Sequence, residues 1–227
     1  MTLQEALDKI NEFASEENKA EMAKIGINTA KACGTKVADL RSIAKDIRIN
    51  HELALQLWDT EQHEARILAT MIADKHQCGS ELLEKWVMEI NSWDLCDQFC
   101  NNIAYKAETG KMKAYEWAVQ NEIFVKRAGF AIIANLALKD KELTESEIDS
   151  YFTLIMNECD DSRNYVRKAV SWALRNIGKR DEKNRQKAIK LAKHMKDETS
   201  KTAKTTATEV ITELNSREVK AKNKRTK

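Results

Sequence analysis

Trp93 and Asp97 lie four residues apart in the run Ser92-Trp93-Asp94-Leu95-Cys96-Asp97. On a helix that spacing puts them one above the other on one face. They project about 130° away from Leu95, Phe99 and Ile103, which mark the apolar centre of the same helix. An aromatic plane beside a carboxylate suits a cationic ligand. It also suits a transition state in which a sugar carbon becomes positive. A plainer reading stays open, with an acid serving the helix dipole beside a half-buried Trp. A second run, Arg167-Lys168-Ala169-Val170-Ser171-Trp172-Ala173-Leu174-Arg175, turns Val166, Val170, Ala173 and Ile177 to one side. Lys168, Trp172, Arg175 and Lys179 fall on the opposite side, between about 180° and 240° from Val166. A large aromatic inside a basic stripe offers a stacking surface flanked by phosphate-binding cations. Alternatively, Trp172 packs on a neighbouring helix and the cations are merely solvated. The third run, Phe124-Val125-Lys126-Arg127-Ala128, opens a segment that is apolar almost all round. Arg127 shares its face with Ala131, Ala134 and Leu138. A guanidinium in such surroundings must find an anion, whether a protein carboxylate such as Asp97 or a phosphate.

Other chemistries lack their residues. His51, His63, His76 and His194 have no zinc-ligand spacing, and Cys96-x-x-x-Cys100 has no second ligand pair. There is no Ser nucleophile elbow, phosphate-loop Lys or dinucleotide fingerprint. No metal and no cofactor is expected. The stretch His63-Glu64-x-Arg66 reads as a source of structural ion pairs. Five scattered cysteines (Cys33, Cys78, Cys96, Cys100 and Cys159) and an N-terminus without signal-peptide character point to reduced thiols and a cytoplasmic protein. No run approaches the ~18 apolar residues of a membrane span.

The elements that position these residues are helical throughout. The 227 residues include no Pro and 6 Gly, where average usage would give roughly eleven and sixteen. Sheets with tight turns need more of both. Thr2-x-x-Glu5 and Thr144-x-x-Glu147 are capping boxes, and Thr35, Asn50, Thr60, Ser80, Ser92, Ser162 and Asp181 are further N-cap candidates. The spacing of apolar residues predicts helices near 2–14, 17–25, 36–48, 51–57, 61–75, 81–90, 93–107, 111–119, 122–138, 145–158, 163–178, 182–195 and 199–214. Starts near 61, 93, 122, 162 and 198 are spaced by 32, 29, 40 and 36 residues. Such a degenerate period suggests stacked antiparallel helix pairs, a HEAT-like α-solenoid over residues 1–215 with a concave basic groove. An irregular helical bundle is the alternative.

Residues 216–227, with six basic residues and one acidic, read as a disordered basic tail. The formal net charge of +2 hides a segregation. Residues 1–159 hold 18 basic and 27 acidic residues, net −9, and residues 160–227 hold 20 and 9, net +11. That asymmetry points to a polyanionic partner.

In their order and spacing, the three runs resemble the DNA alkylation repair family, the HEAT-repeat alkylpurine DNA glycosylases, over roughly residues 15–215. The resemblance implies a solenoid that grips duplex DNA containing alkylated bases. It implies base excision of cationic N3- and N7-alkylated purines without a metal and without flipping the lesion into a deep pocket. By the same resemblance Trp93 and Trp172 cradle the damaged nucleotide, Asp97 is the catalytic carboxylate, and Arg127 contacts the backbone near the lesion. Lys126, Arg167, Lys168, Arg175 and Lys179 would hold phosphates. An aromatic is expected in the N-terminal region near Ile25, where this chain has none. The protein is expected to act as a monomer, without a membrane or an obligate protein partner, in association with the nucleoid. The four catalytic side chains are expected to converge in one trough.

Overall fold

The computed structural model describes residues 1–198 and 200–220. Among them are thirteen α-helices of nine residues or more, a further helical turn at 217–220, and no strand. In order they are α1 (Leu3–Glu12), α2 (Glu16–Lys24), α3 (Val37–Ile47), α4 (His51–Asp59), α5 (His63–Ile72), α6 (Ser80–Glu89) and α7 (Trp93–Asn102). After a 3-10 turn at Ala104–Lys106 come α8 (Gly110–Ala118), α9 (Ile123–Lys139), α10 (Glu145–Asn157), α11 (Asn164–Gly178), α12 (Glu182–Asp197) and α13 (Lys201–Leu214). Two compact units divide the chain, Met1–Gly110 and Lys111–Lys227.

Side-chain caps explain six of the helix starts. Both capping boxes form, Thr2 with Glu5 and Thr144 with Glu147. Asn50 and Asp181 accept from the backbone N–H groups of Leu53 and Asn184 at 3.1 and 2.8 Å. Four of the proposed caps serve otherwise. The Thr35 hydroxyl donates to the Ile10 carbonyl at 2.7 Å, and α3 starts one residue later, after Lys36. Thr60 closes α4, with its hydroxyl donating to the Leu57 carbonyl. Gly79 and Arg163, not Ser80 and Ser162, hold the cap positions of α6 and α11. Ser15 and Ser200 cap α2 and α13. The helix expected over 61–75 is shorter because Glu61 adopts a φ of 60°. Of the residues expected to form a disordered tail, 217–220 are helical and Val219 is buried, while 221–227 lie outside the described residues.

The repeat is written in the long-range hydrogen bonds. In the first unit Cys33 N–H donates to Glu64, Trp58 Nε1 to Glu89, and His63 meets Asp94, each pair 31 residues apart. In the second unit Arg127 reaches Tyr165 after 38 residues, Arg167 reaches Glu209 after 42, and Lys187 reaches Asp149 after 38. Each unit therefore ties an element to its counterpart one repeat away, with a longer repeat in the second.

Each unit has its own core. In the first, Trp58 and Trp86 stack with ring centroids 4.2 Å apart, and Phe99 tilts against both. In the second, α9 is buried from Val125 to Ala137 and packs along α11, which in turn packs on α12 and α13. Gly129 makes the approach of α9 to α8 possible, since a Cβ there would lie 2.4 Å from the Ala118 nitrogen. Among the described residues no helix is long and apolar enough to cross a membrane.

Candidate nucleic-acid interface

The first unit builds a cavity around one side of α7. Leu95, Cys96, Phe99 and Cys100 anchor that helix in the core. Trp93, Asp94, Asp97 and Gln98 are half-buried and line a cavity of about 360 Å³. Its other walls come from Asn18 and Met22 of α2, Ile27, the start of α3 at Thr35-Lys36-Val37, and His63 and Ile67 of α5. The size lies within the ~300–1,000 Å³ range of sites that take small molecules or cofactors.

The indole of Trp93 is fixed by its Nε1, which donates to the Ile25 carbonyl at 3.2 Å. Ile25 itself is 60% exposed. The position where an aromatic was expected thus lies beside the indole.

Two carboxylates face this cavity, in different surroundings. Asp94 Oδ2 lies 2.8 Å from His63 Nε2, and the Ser92 hydroxyl donates to its Oδ1. Burial pushes the Asp94 carboxyl up, but His63, Ser92 and the Leu95 N–H outweigh it and hold the group below the ordinary carboxylate range. Asp94 is therefore an anchored anion, 14% exposed. Asp97 lies one helical turn further along, on the same wall.

His63 and Lys36 were not singled out for this cavity from the sequence. His63 carried no ligand spacing, and it reaches Asp94 only because the repeat brings the starts of α5 and α7 together. Lys36 is exposed at the cavity rim, at the N-cap position of α3. Glu64 and Arg66 do make structural contacts. Glu64 is fully buried and accepts from the N–H groups of Cys33 and Gly34 at 3.0 and 2.8 Å. Arg66 lies over the Trp58 ring and pairs with Glu89 at 3.2 Å.

The second unit carries the remaining expected residues. Trp172 is half-buried on α11, neither sealed in the core nor fully in solvent. Arg127 is 5% exposed, and its Nη1 donates to the Tyr165 carbonyl at 2.7 Å. Lys126, expected to hold a phosphate, is buried instead and pairs with Glu158 at 2.6 Å and Asp161 at 3.4 Å. Arg167 pairs with Glu209 at 2.8 Å, and Ser171 donates to the same carboxylate at 3.0 Å. Arg175 pairs with Glu213 at 2.6 Å, and Lys179 binds the same acid. Lys168 is exposed. A row of α13 acids thus meets the α11 cations. Trp93 and Asp97 belong to the first unit, and Arg127 and Trp172 to the second.

The cysteines are free thiols. Burial pushes Cys78 up to about 12, which removes it as a nucleophile at neutral pH. Among the described residues no group of His, Cys, Asp and Glu is arranged to hold a metal ion.

The fold is that of a HEAT-like helical-repeat protein. A solved structure described as "a new family of proteins related to the HEAT-like repeat DNA glycosylases with affinity for branched DNA structures" is similar with a TM-score of 0.77. It is 19% identical, over 92% of this chain and 94% of that one. Two engineered proteins are also similar, at 11% and 13% identity and TM-scores of 0.47 and 0.46. The first match covers 94% of this chain and 98% of that one, the second 93% and 96%. No curated protein matched. The sequence pattern of the family described as DNA alkylation repair enzyme matches residues 6–211. The chain belongs to that family.

Proposed function

We propose that the protein is a DNA glycosylase of base-excision repair that hydrolyses the N-glycosidic bond of cationic alkylated purines, such as 3-methyladenine and 7-methylguanine, in duplex DNA. The observation that carries this reading is the wall of α7, where an indole and two carboxylates face one cavity. An N3- or N7-alkylated purine bears a formal positive charge and leaves readily. When the bond from C1′ to the purine nitrogen breaks, the electron pair goes to the base and neutralises it. Positive charge then grows on the sugar. The Asp97 carboxylate stabilises that charge and orients the water whose oxygen bonds to C1′, with the released proton passing to the carboxylate or to solvent. Trp93 adds a contact to the cationic nucleotide worth ~0.5–2 kcal/mol. Exposed Lys168 on α11, with Arg175 and Lys179 where phosphate displaces Glu213, supplies a salt-dependent, sequence-independent part of the affinity. The leaving group is already activated, so the mechanism calls for no metal.

A second reading is a non-catalytic protein that recognises unusual DNA structure. It is favoured by the pairing of Arg167, Arg175 and Lys179 with α13 acids, and by the branched-DNA affinity ascribed to the structural neighbour. Incubating the purified protein with methylated duplex DNA and identifying free bases by mass spectrometry separates the two. The glycosylase reading expects alkylpurine release that falls ~10²-fold or more in Asp97→Asn, the scale of losing one preorganised electrostatic contact, while DNA binding persists. Wild-type protein that binds DNA and releases no base leaves the second reading standing.

A further inference from the structure

The cations that the α11 pattern singled out are largely neutralised by α13, yet the second unit still carries 26 basic against 17 acidic residues. Much of that excess lies on α12. At 100° per residue, Lys183, Lys187, Lys190 and His194 fall within about 60° of one another, and Lys193 lies about 60° to the side. The row climbs about 16 Å along the helix. Arg185, Ala188, Ala192 and Met195 occupy the opposite side and are buried, and α12 packs on α11 and α13. The lysine row therefore points away from both, while its first half lies beside α10, on which α12 also packs.

The row is open to a ligand. Lys190 and Lys193 are exposed and, among the described residues, make no ion pair. Lys187 pairs with Asp149 at 2.6 Å and Lys183 with Glu145, across surfaces at least one-third exposed. Such pairs contribute little and exchange readily for a stronger anion.

We infer that this face of α12 is a phosphate-binding surface that takes a stretch of DNA backbone separate from any held on the α11 side. Three features favour a DNA backbone as occupant. The lysines recur every three to four residues, as a regular polyanion requires, with Asp197 the one acid among them. The exposed residues beside the row, Gln186 and Asp197, are polar, and Leu191 beside Lys187 is half-buried. Helices that lie on membranes instead set large apolar residues beside their lysines, and on α12 Ile189 and Met195 are buried. The consequence is that one molecule can engage two DNA segments, as at a junction of duplex arms. This inference does not depend on base excision, because it concerns phosphate contacts alone.

The test compares wild type with Lys190→Gln/Lys193→Gln, both full-length, on a short linear duplex and on a four-way DNA junction across a range of salt concentrations. Circular dichroism confirms that the variant folds. Two lost phosphate contacts should reduce the salt slope on the junction by up to ~1.8. Slope and affinity on the linear duplex should be unchanged. An unchanged slope on the junction overturns the inference. So does an equal drop on both DNAs, which would merge the row with the other face, and so does a wild-type protein that binds neither DNA. Row-dependent binding of vesicles containing anionic lipid, without row-dependent binding of the junction, also overturns it.

Discussion

Replacing Glu213 with Gln should strengthen DNA binding and steepen its dependence on salt. Glu213 on α13 receives Arg175 Nη1 at 2.6 Å and also pairs with Lys179. Burial pushes its carboxyl up, but the two cations outweigh burial and hold it below the ordinary range, so it is ionised at neutral pH. All three side chains are only 26–31% exposed. Glutamine keeps the shape and the acceptor oxygen but removes the charge, leaving two cations without a counter-charge. Each cation that gains a phosphate adds ~0.9 to the slope of log K against log salt, so two add ~1.8. Between 50 and 200 mM salt that becomes a further ~12-fold fall in affinity for the variant. The gain in affinity is therefore largest at the low-salt end. Against it stands the loss of two partly exposed pairs, ~1 kcal/mol of stability in all. Fluorescence anisotropy with a labelled duplex measures the slope, and thermal melting measures the stability cost. A folded Glu213→Gln protein with wild-type affinity and slope would refute the idea that α13 competes with phosphate for Arg175 and Lys179.

Glu64→Ala strands the N–H groups of Cys33 and Gly34, at ~1–3 kcal/mol for each unsatisfied group. Urea denaturation should therefore register a loss of about 2–6 kcal/mol, and a loss below about 1 kcal/mol would mean that water replaces the carboxylate. Asp94 has a depressed folded value, so its stabilising effect is complete above its unfolded value of about 3.9 and fades as the pH falls through the folded one. The stability gap between wild type and Asp94→Asn should be present near pH 5–6 and narrow below about pH 4; a gap of equal size at pH 3 and pH 6 would contradict this. Gly129→Ala sets an added Cβ 2.4 Å from the Ala118 backbone nitrogen. Overpacking of ~1–3 kcal/mol should outweigh the ~1 kcal/mol gain in helix propensity, so the melting temperature should fall, and a rise would show that α8 yields at no cost.

Helix existence was legible because local chemistry decides it. The residues that cap α1, α4, α10 and α12 lie within one turn of the groups they satisfy. The two boundaries read too far, past Ile72 and past Asn102, end where the backbone departs from helix through tertiary fit, which periodicity does not register. The cavity was half legible. The spacing of Trp93 and Asp97 places both on one wall, yet the opposite walls come from α2, α3 and α5, through residues such as Asn18, Lys36 and His63 with no motif of their own. Charge was the hardest to read. A helical wheel gives the direction of Arg167, Arg175 and Lys179 on α11 but not what stands opposite them, and Glu209 and Glu213 lie 34 to 42 residues further on. The long-range pairs supply the missing rule. If hydrogen bonds in the second unit recur at about one repeat length, a cation on one helix should be checked first against acids 36 to 43 residues away. Under that rule Lys190 and Lys193 have no such acid on either side within the described residues, since positions 147–157 hold Glu147 and Asp149, which already serve Lys111 and Lys187. The same accounting that neutralises α11, and that pairs Lys183 and Lys187 with α10 acids, therefore leaves Lys190 and Lys193 on the outer row of α12 with uncancelled charge.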